Sequence, residues 1–168
     1  LHSVRVEAQS YLPDWRPNRD YRDSFRSRPG EGGVLLDLIH EIDYTGWIFG
    51  WPASVHGRVK NLGRLGIEAD ESAHITWETA EGTVVSVTVD FLSQPTRRGI
   101  KAYGENGTLK WNGVERTVTL MLSGAEATVT WSTQTQDEML SAQTQAFLDT
   151  ITGNSDSRLA TSDDGVRA

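Results

Sequence analysis

Cysteine is absent from the 168-residue chain. Disulfides and thiolate metal sites are therefore excluded, and a reducing, cytoplasmic setting is the expected one. Lysine is scarce, three residues against thirteen arginines, in a chain of net charge −7. An acidic chain without a Lys/Arg block lacks the electrostatic footprint of a nucleic-acid or anionic-membrane binder, so neither partner is expected. Long apolar runs are missing too. The richest stretch, Val34 to Phe49, is broken by Asp37, His40, Glu41 and Asp43, whereas a membrane span needs roughly 20 apolar residues. The dinucleotide fingerprint G-x-G-x-x-G occurs nowhere. Gly30-Glu31-Gly32-Gly33 leads into a helical pattern, but a long loop separates it from the strand-like Val4 to Ala8, so the strand–turn–helix context of a phosphate cradle fails.

What is present fits one domain. The first residue is Leu1, and the residues after it already alternate like a strand, which reads as a piece of a longer protein. Val4, Val6 and Ala8 alternate with Arg5, Glu7 and Gln9, the period-2 pattern of a half-buried strand. Tyr11 to Gly33 holds three of the five prolines together with Tyr11, Trp15, Tyr21 and Phe25. A loop of that length is functional or disordered as a rule, and the aromatics argue for order. Val34 to Phe49 reads as a helix with Leu35, Leu38, Ile39, Ile42, Gly46 and Phe49 on one side and Asp37, His40, Glu41 and Tyr44 on the other. Gly50 and Pro52 end it.

Strands follow. Val55 and Val59 mark the first, Ala73, Ile75 and Trp77 the second, and Val85, Val87, Val89 and Phe91 the third. Ile100 to Tyr103 and Thr108 to Trp111 flank the tight-turn sequence Gly104-Glu105-Asn106-Gly107. Val118, Leu120 and Leu122 are followed by Ala127, Val129 and Trp131. A last helix is expected from about Asp137 to Ile151, with Leu140, Phe147, Leu148 and Ile151 on one face. The order predicts an α+β fold, an open, mostly antiparallel sheet with helices packed on one face. The other face, with Ser86, Thr88, Thr117, Thr119, Thr128 and Thr130, is expected to be nearly free of charge and to serve self-association into a dimer or tetramer.

Candidate chemistry concentrates on the helix. Asp37 and His40 are three apart, so on a continuous helix their side chains are neighbours. A carboxylate beside an imidazole orients the ring and favours its charged form. Such a pair can move a proton to or from a hydroxyl. The bland alternative is a solvated helix face. Glu41 and Tyr44 lie on the same face as candidate substrate contacts, and Tyr44 and Trp47 offer an apolar wall to a sugar ring. Asp37, His40 and Glu41 find no second cluster to complete a metal site, so no metal is expected. In the loop, Trp15, Arg16, Arg19 and Tyr21 mix guanidinium forks with flat rings, suited to anions and sugar faces. The alternative is that the rings anchor the loop and the arginines pair with Asp14, Asp20 and Asp23.

Three stretches together carry a resemblance: Tyr11-Leu12-Pro13-Asp14-Trp15, the helix Gly32-Gly33-Val34-Leu35-Leu36-Asp37 to Asp43, and the turn Tyr103 to Leu109. The chain resembles the C-terminal domain of the Gfo/Idh/MocA oxidoreductase family. The resemblance implies that residues 1–168 are the substrate and oligomerisation domain of a two-domain dehydrogenase, inactive alone. It implies hydride transfer between a sugar, nucleotide-sugar or polyol carbon and NAD or NADP, with the dinucleotide held mainly by an N-terminal domain. It implies His40 as a catalytic residue with Asp37 as its carboxylate neighbour, although the commoner family spacing is four residues and here it is three. The catalytic lysine of a Glu-Lys-Pro motif is none of Lys60, Lys101 and Lys110 and is expected in the other domain. The competing readings are a non-catalytic sugar- or partner-binding homologue and a carbohydrate-binding β module. Retention of Asp37 and His40 weighs against the first, and the two helices against the second.

Overall fold

The alternation at Ser3–Gln9 becomes β1, whose Val4, Val6 and Ala8 are buried while Arg5 is exposed. The computed structural model describes residues 1–154 and 156–168; Ser155, in the polar tail, lies outside the described residues. After β1, three 3-10 turns (Leu12–Trp15, Tyr21–Asp23 and Phe25–Ser27) carry the aromatic loop to α1 (Val34–Asp37) and α2 (Ile39–Phe49). Strands β2 (Val55–Lys60), β3 (Ser72–Glu78), β4 (Val84–Asp90), β5 (Arg97–Gly104), β6 (Gly107–Asn112), β7 (Thr117–Leu122) and β8 (Thr128–Trp131) follow. The chain closes with α3 (Gln136–Ile151) and α4 (Ser162–Arg167).

The eight strands form one open sheet in the order β2-β3-β4-β1-β5-β6-β7-β8. Every neighbouring pair is antiparallel except β1 and β4, which run parallel. The fold is thus the α+β architecture the pattern predicts. Parallel neighbours need a crossover, and the loop, both helices and two strands supply it. Val4, Val6, Ile75, Trp77, Val85, Val87, Val89, Ile100 and Ala102 make the apolar face. On it, α1 packs over β3 and β4, and α2 over β1.

The long helix is interrupted. Leu38 leaves helical geometry at φ −106 and ψ 25, so α1 and α2 are separate segments. Their buried positions are Val34, Leu38, Glu41, Thr45 and Gly46. The covered face is therefore rotated from the Leu35/Leu38/Ile39/Ile42 stripe that the sequence predicts, and it carries a carboxylate and a hydroxyl into the core. Thr45 satisfies its hydroxyl by donating to the Glu41 carbonyl.

Two acids hold the crossover. Asp70 caps α1: its carboxylate accepts from Leu35 N at 2.9 Å and its carbonyl from Val34 N at 3.0 Å. Gly33 is needed for this, both for its φ of 98° and because a Cβ there would stand 2.2 Å from the Asp70 carboxylate. Glu71 is fully buried and accepts from Leu62, Arg64 and Leu65 N at 2.8, 3.1 and 2.7 Å, closing the turn before β3. Glu71→Ala is expected to cost about 3 kcal/mol or more, because three backbone donors lose their acceptor at once. A urea-melt midpoint equal to wild type would show that water replaces the carboxylate without loss.

The second face departs from expectation. Arg5, Lys101 and Lys110 stand in one cross-strand row across β1, β5 and β6, which continues through Thr119 to Val129. Thr128 and Thr130 pair with Leu120 and Val118 and so stand on the helix side, while Val129 and Trp131 face out on the second side. The turn at residues 123–127 sets this register, and a one-residue difference in register exchanges every side chain between faces. The second face is therefore more charged than the threonine pattern suggests.

Helix α3 begins on a capping box made by Thr135 and Glu138. It has no buried residue, so its stripe of Leu140, Phe147, Leu148 and Ile151 is uncovered among the described residues. No helix among them is long and apolar enough to cross a membrane.

Candidate functional site

Where β1 ends beside the start of β5, a cavity of about 380 Å³ opens against the helices, lined among others by Trp15, Arg26, Asp37, His40, Glu41 and Arg98. Trp15 is fixed by its indole N–H, which donates to Ser10 Oγ at 2.9 Å, and by an edge-on contact with Phe91 at 5.5 Å. The Arg26 guanidinium lies over the Trp15 and Phe25 rings at 5.6 and 4.7 Å. Its Nε sits 2.9 Å from both oxygens of Asp37. Asp37 is thus taken by Arg26 and makes no hydrogen bond or ion pair with His40 among the described residues. The expected i, i+3 neighbourhood needs a continuous helix, and the break at Leu38 removes it.

His40 has a different carboxylate. Its Nε2 lies 3.2 Å from Glu41 Oε1, and Arg98 Nη2 lies 2.7 Å from the same oxygen. Tyr44 donates its phenol O–H to Glu41 Oε2. Glu41 itself is 0% exposed, whereas the His40 and Arg98 side chains are 48% and 43% exposed. A buried carboxylate thus clamps an imidazole, a guanidinium and a phenol from below. The ion-pair nitrogens are close to Oε1 but off the line of a directed hydrogen bond, so that oxygen is buried without one. Burial first, then the Glu41 charge, holds the Tyr44 phenol well above its ordinary ionisation range. Tyr44 therefore stays a donor. It also sits edge-on to Trp111 at 6.0 Å, and the Arg98 guanidinium stands 6.0 Å from the same ring.

An adjoining cavity of about 630 Å³ is built from the loop and shares Trp15 and Arg26 with the first. Arg16, Arg19, Tyr21 and Phe25 line it. The Tyr21 hydroxyl donates to the Leu65 carbonyl at 2.8 Å and the Arg22 guanidinium stacks on its ring at 4.6 Å, which anchors the loop. Arg16 and Arg19 make no ion pair among the described residues. They do not pair with Asp14 or Asp20, which bond Gln94 and Arg22 instead.

Most of the sequence candidates gather here, with three corrections. Glu41 lies beneath the site and has no surface to offer a substrate. Tyr44 lies on its far side, lining an apolar groove of about 940 Å³ over β5 to β7. Trp47 points outward from α2 and joins none of these cavities. Sequence reasoning missed Arg26 and Arg98. Nothing in the spacing pointed to Arg98, because the helix pattern put Glu41 on the solvated face, where an acid needs no cation.

Gly32 and Gly33, at the start of α1, offer no dinucleotide cradle. A Cβ at Gly32 would meet the Phe25 carbonyl at 2.3 Å, and the space at Gly33 is filled by Asp70, so these glycines serve close packing and not ligand approach. Among the described residues no three His, Asp or Glu side chains are grouped to hold a metal.

A family model described as the GFO/IDH/MocA C-terminal domain matches residues 1–110. Among solved structures, levoglucosan dehydrogenase in complex with NADH and L-sorbose shares 15% identity at a TM-score of 0.77, over 93% of this chain and 51% of that one. UDP-N-acetylglucosamine 3-dehydrogenase GnnA from Acidithiobacillus ferrooxidans shares 15% identity at a TM-score of 0.68, over 90% and 44%. An inositol dehydrogenase homolog complexed with NAD+ from Azotobacter vinelandii shares 12% identity at a TM-score of 0.65, over 80% and 37%. At these identities the likeness is one of fold. The chain spans about half the length of the structures it matches. No curated protein matches it in sequence.

Proposed function

This chain belongs to the GFO/IDH/MocA C-terminal domain family, and on that premise we propose that it is the substrate-side domain of a two-domain, nicotinamide-dependent dehydrogenase of sugars, nucleotide sugars or polyols. The observation that carries the reading is His40, half-exposed in a small cavity with its ring turned to a buried, arginine-paired carboxylate. A dehydrogenase must take a proton from the substrate hydroxyl as hydride leaves the carbon, and an imidazole is suited to that task near neutral pH. NAD or NADP, which accepts the hydride, is held mainly by the dinucleotide domain in this reading, since the sequence carries no glycine fingerprint for it.

Each group then has a task. With Nε2 nearer Glu41, Nδ1 is the ring nitrogen left to meet the substrate hydroxyl. Glu41 steadies the ring as positive charge develops on it, and Arg98 and Tyr44 keep that carboxylate in place. Trp15 offers a flat face to the sugar, and Arg26 holds Asp37 in the cavity wall. Self-association through the open sheet face and a cytoplasmic location belong to the same reading. The cationic row of Arg5, Lys101 and Lys110 requires a partner sheet to meet it offset, since like charges directly opposed are unfavourable.

The test compares two proteins. The enzyme joined to its dinucleotide domain should reduce NAD+ or NADP+ with a sugar or polyol. Residues 1–168 alone should neither bind the dinucleotide in calorimetry nor turn over any sugar. Micromolar dinucleotide binding by residues 1–168 would overturn the division of labour, and an inactive two-domain protein would favour a sugar-binding homologue without catalysis.

A further inference from the structure

The helices cover only part of their side of the sheet. α1 and α2 settle on β3, β4 and β1. Strand pairing carries the same face on beyond them: Ile100 stands beside Trp111 and Val118, and Ala102 beside Leu109 and Leu120. Leu109, Val118, Leu120 and Leu122 are nonetheless exposed. They line the groove of about 940 Å³, in which Glu105 is the one charged side chain among the described residues. An apolar surface on that scale, nearly bare of charge, is rarely left open to water on a soluble protein and marks a contact site.

The chain's own α3 does not fill the groove. It is strung between β8 and α4, which packs on α2, and none of its residues is buried. The remaining choice lies between a second copy and the dinucleotide domain of the reading above, on which this inference rests, and effective concentration decides it. This chain covers 51% and 44% of the levoglucosan and UDP-N-acetylglucosamine dehydrogenase structures it resembles, so in the two-domain reading a body of similar size joins at Leu1. Leu1 itself lines the groove. A body tethered beside the groove acts at an effective concentration of about 1 mM, roughly a thousandfold above a second copy at micromolar concentration.

We propose that the groove over β5 to β7 is the seat of the dinucleotide domain, which covers Leu109, Val118, Leu120 and Leu122 with an apolar surface of its own. A large apolar interface holds two domains as one body, whereas a small polar one leaves them free to move. Tyr44 ties the seat to the chemistry. Its ring lines the groove and its hydroxyl donates to Glu41, the carboxylate beside His40. The seat therefore sets where the bound nicotinamide stands relative to His40.

The test places a thiol in the groove of the two-domain enzyme, Leu120→Cys, and an exposed reference thiol in the turn after β6, Val114→Cys. Residues 1–168 contain no other cysteine, and the two positions are 39% and 55% exposed in this structure. In the two-domain enzyme the groove thiol is expected to react at least about tenfold more slowly than the reference with a water-soluble reagent, because the seat must open first. Mass spectrometry of the labelled peptides reads both rates, which should not vary with protein concentration. In residues 1–168 alone the two thiols should react at comparable rates. Leu120→Asp in the two-domain enzyme should undock the domains: its radius of gyration rises, sugar turnover falls at least about tenfold, and dinucleotide affinity stays within about twofold, as for a distant site. If that variant does not fold, the labelling decides. Comparable rates in the two-domain enzyme, or a folded Leu120→Asp with unchanged radius and turnover, overturn the proposal. Protection that grows with concentration gives the groove to a second copy, and protection already present in dilute residues 1–168 gives it to α3; either overturns it too. Protection without turnover of any sugar leaves the seat standing and removes the dehydrogenase reading alone.

Discussion

His40→Ala in the two-domain enzyme is expected to lower kcat by about 100- to 10,000-fold, the usual worth of a positioned acid or base. Its melting temperature should barely move. The ring is half exposed, it contributes nothing to the apolar face of the sheet, and a site of that kind changes stability by about 0.5 kcal/mol or less. Removing it leaves Glu41 still paired with Arg98 and Tyr44. A folded, inactive variant is thus the expected result, read by steady-state kinetics and a thermal melt on the same preparation. A raised KM at unchanged kcat would reduce His40 to a binding group. Unchanged kinetics would leave the family fold without the proton-transfer assignment.

Arg98→Ala should behave in the opposite way, losing stability as well as activity. Glu41 is fully buried, and Arg98 supplies its nearest cation, at 2.7 Å. Taking one partner from a buried ion pair strands the other charge, at a cost of about 3 kcal/mol or more. Half of the Arg98 side chain is wet, which places the expected loss at the lower end of that range. Glu41→Leu combined with Arg98→Met should recover most of the stability, because a well-packed apolar pair avoids the desolvation that the ions suffer. The recovered variant should remain inactive, since the imidazole has lost the carboxylate that orients it. Urea melts of wild type, Arg98→Ala and the double variant decide the matter. Equal midpoints for wild type and Arg98→Ala would mean that the carboxylate does not depend on the guanidinium.

These expectations could not have been written from the helix pattern alone. Asp37 and His40 were legible as the polar residues of the helix because that pattern needs nothing but local periodicity. Their relationship was not. It depended on whether the helix continued through Leu38, and the backbone at that residue is set by how α1 and α2 settle on the sheet. Glu41 is the clearest case. Its place in the sequence put it on the solvated face, and rotation of the helix put it in the core, where it recruits Arg98 from a strand more than fifty residues away.

By itself the sequence determined the strands, the helices, the mostly antiparallel sheet and the long aromatic loop, since alternation, helical periodicity, prolines and turn glycines are local signals. It also determined the family, through the run from Gly32 to Asp43 and its companions. Tertiary structure alone decided the parallel pairing of β1 with β4, because which strand lies beside which is set by long-range burial. It decided the register of β8, which sends Thr128 and Thr130 to one face and Val129 and Trp131 to the other, because a turn's length and geometry, not composition, fix the pairing. And it decided the partners of the charged groups, Asp37 with Arg26 and Glu41 with Arg98, because a buried charge takes whichever cation the fold brings within reach, and distance in space is not written in distance along the chain.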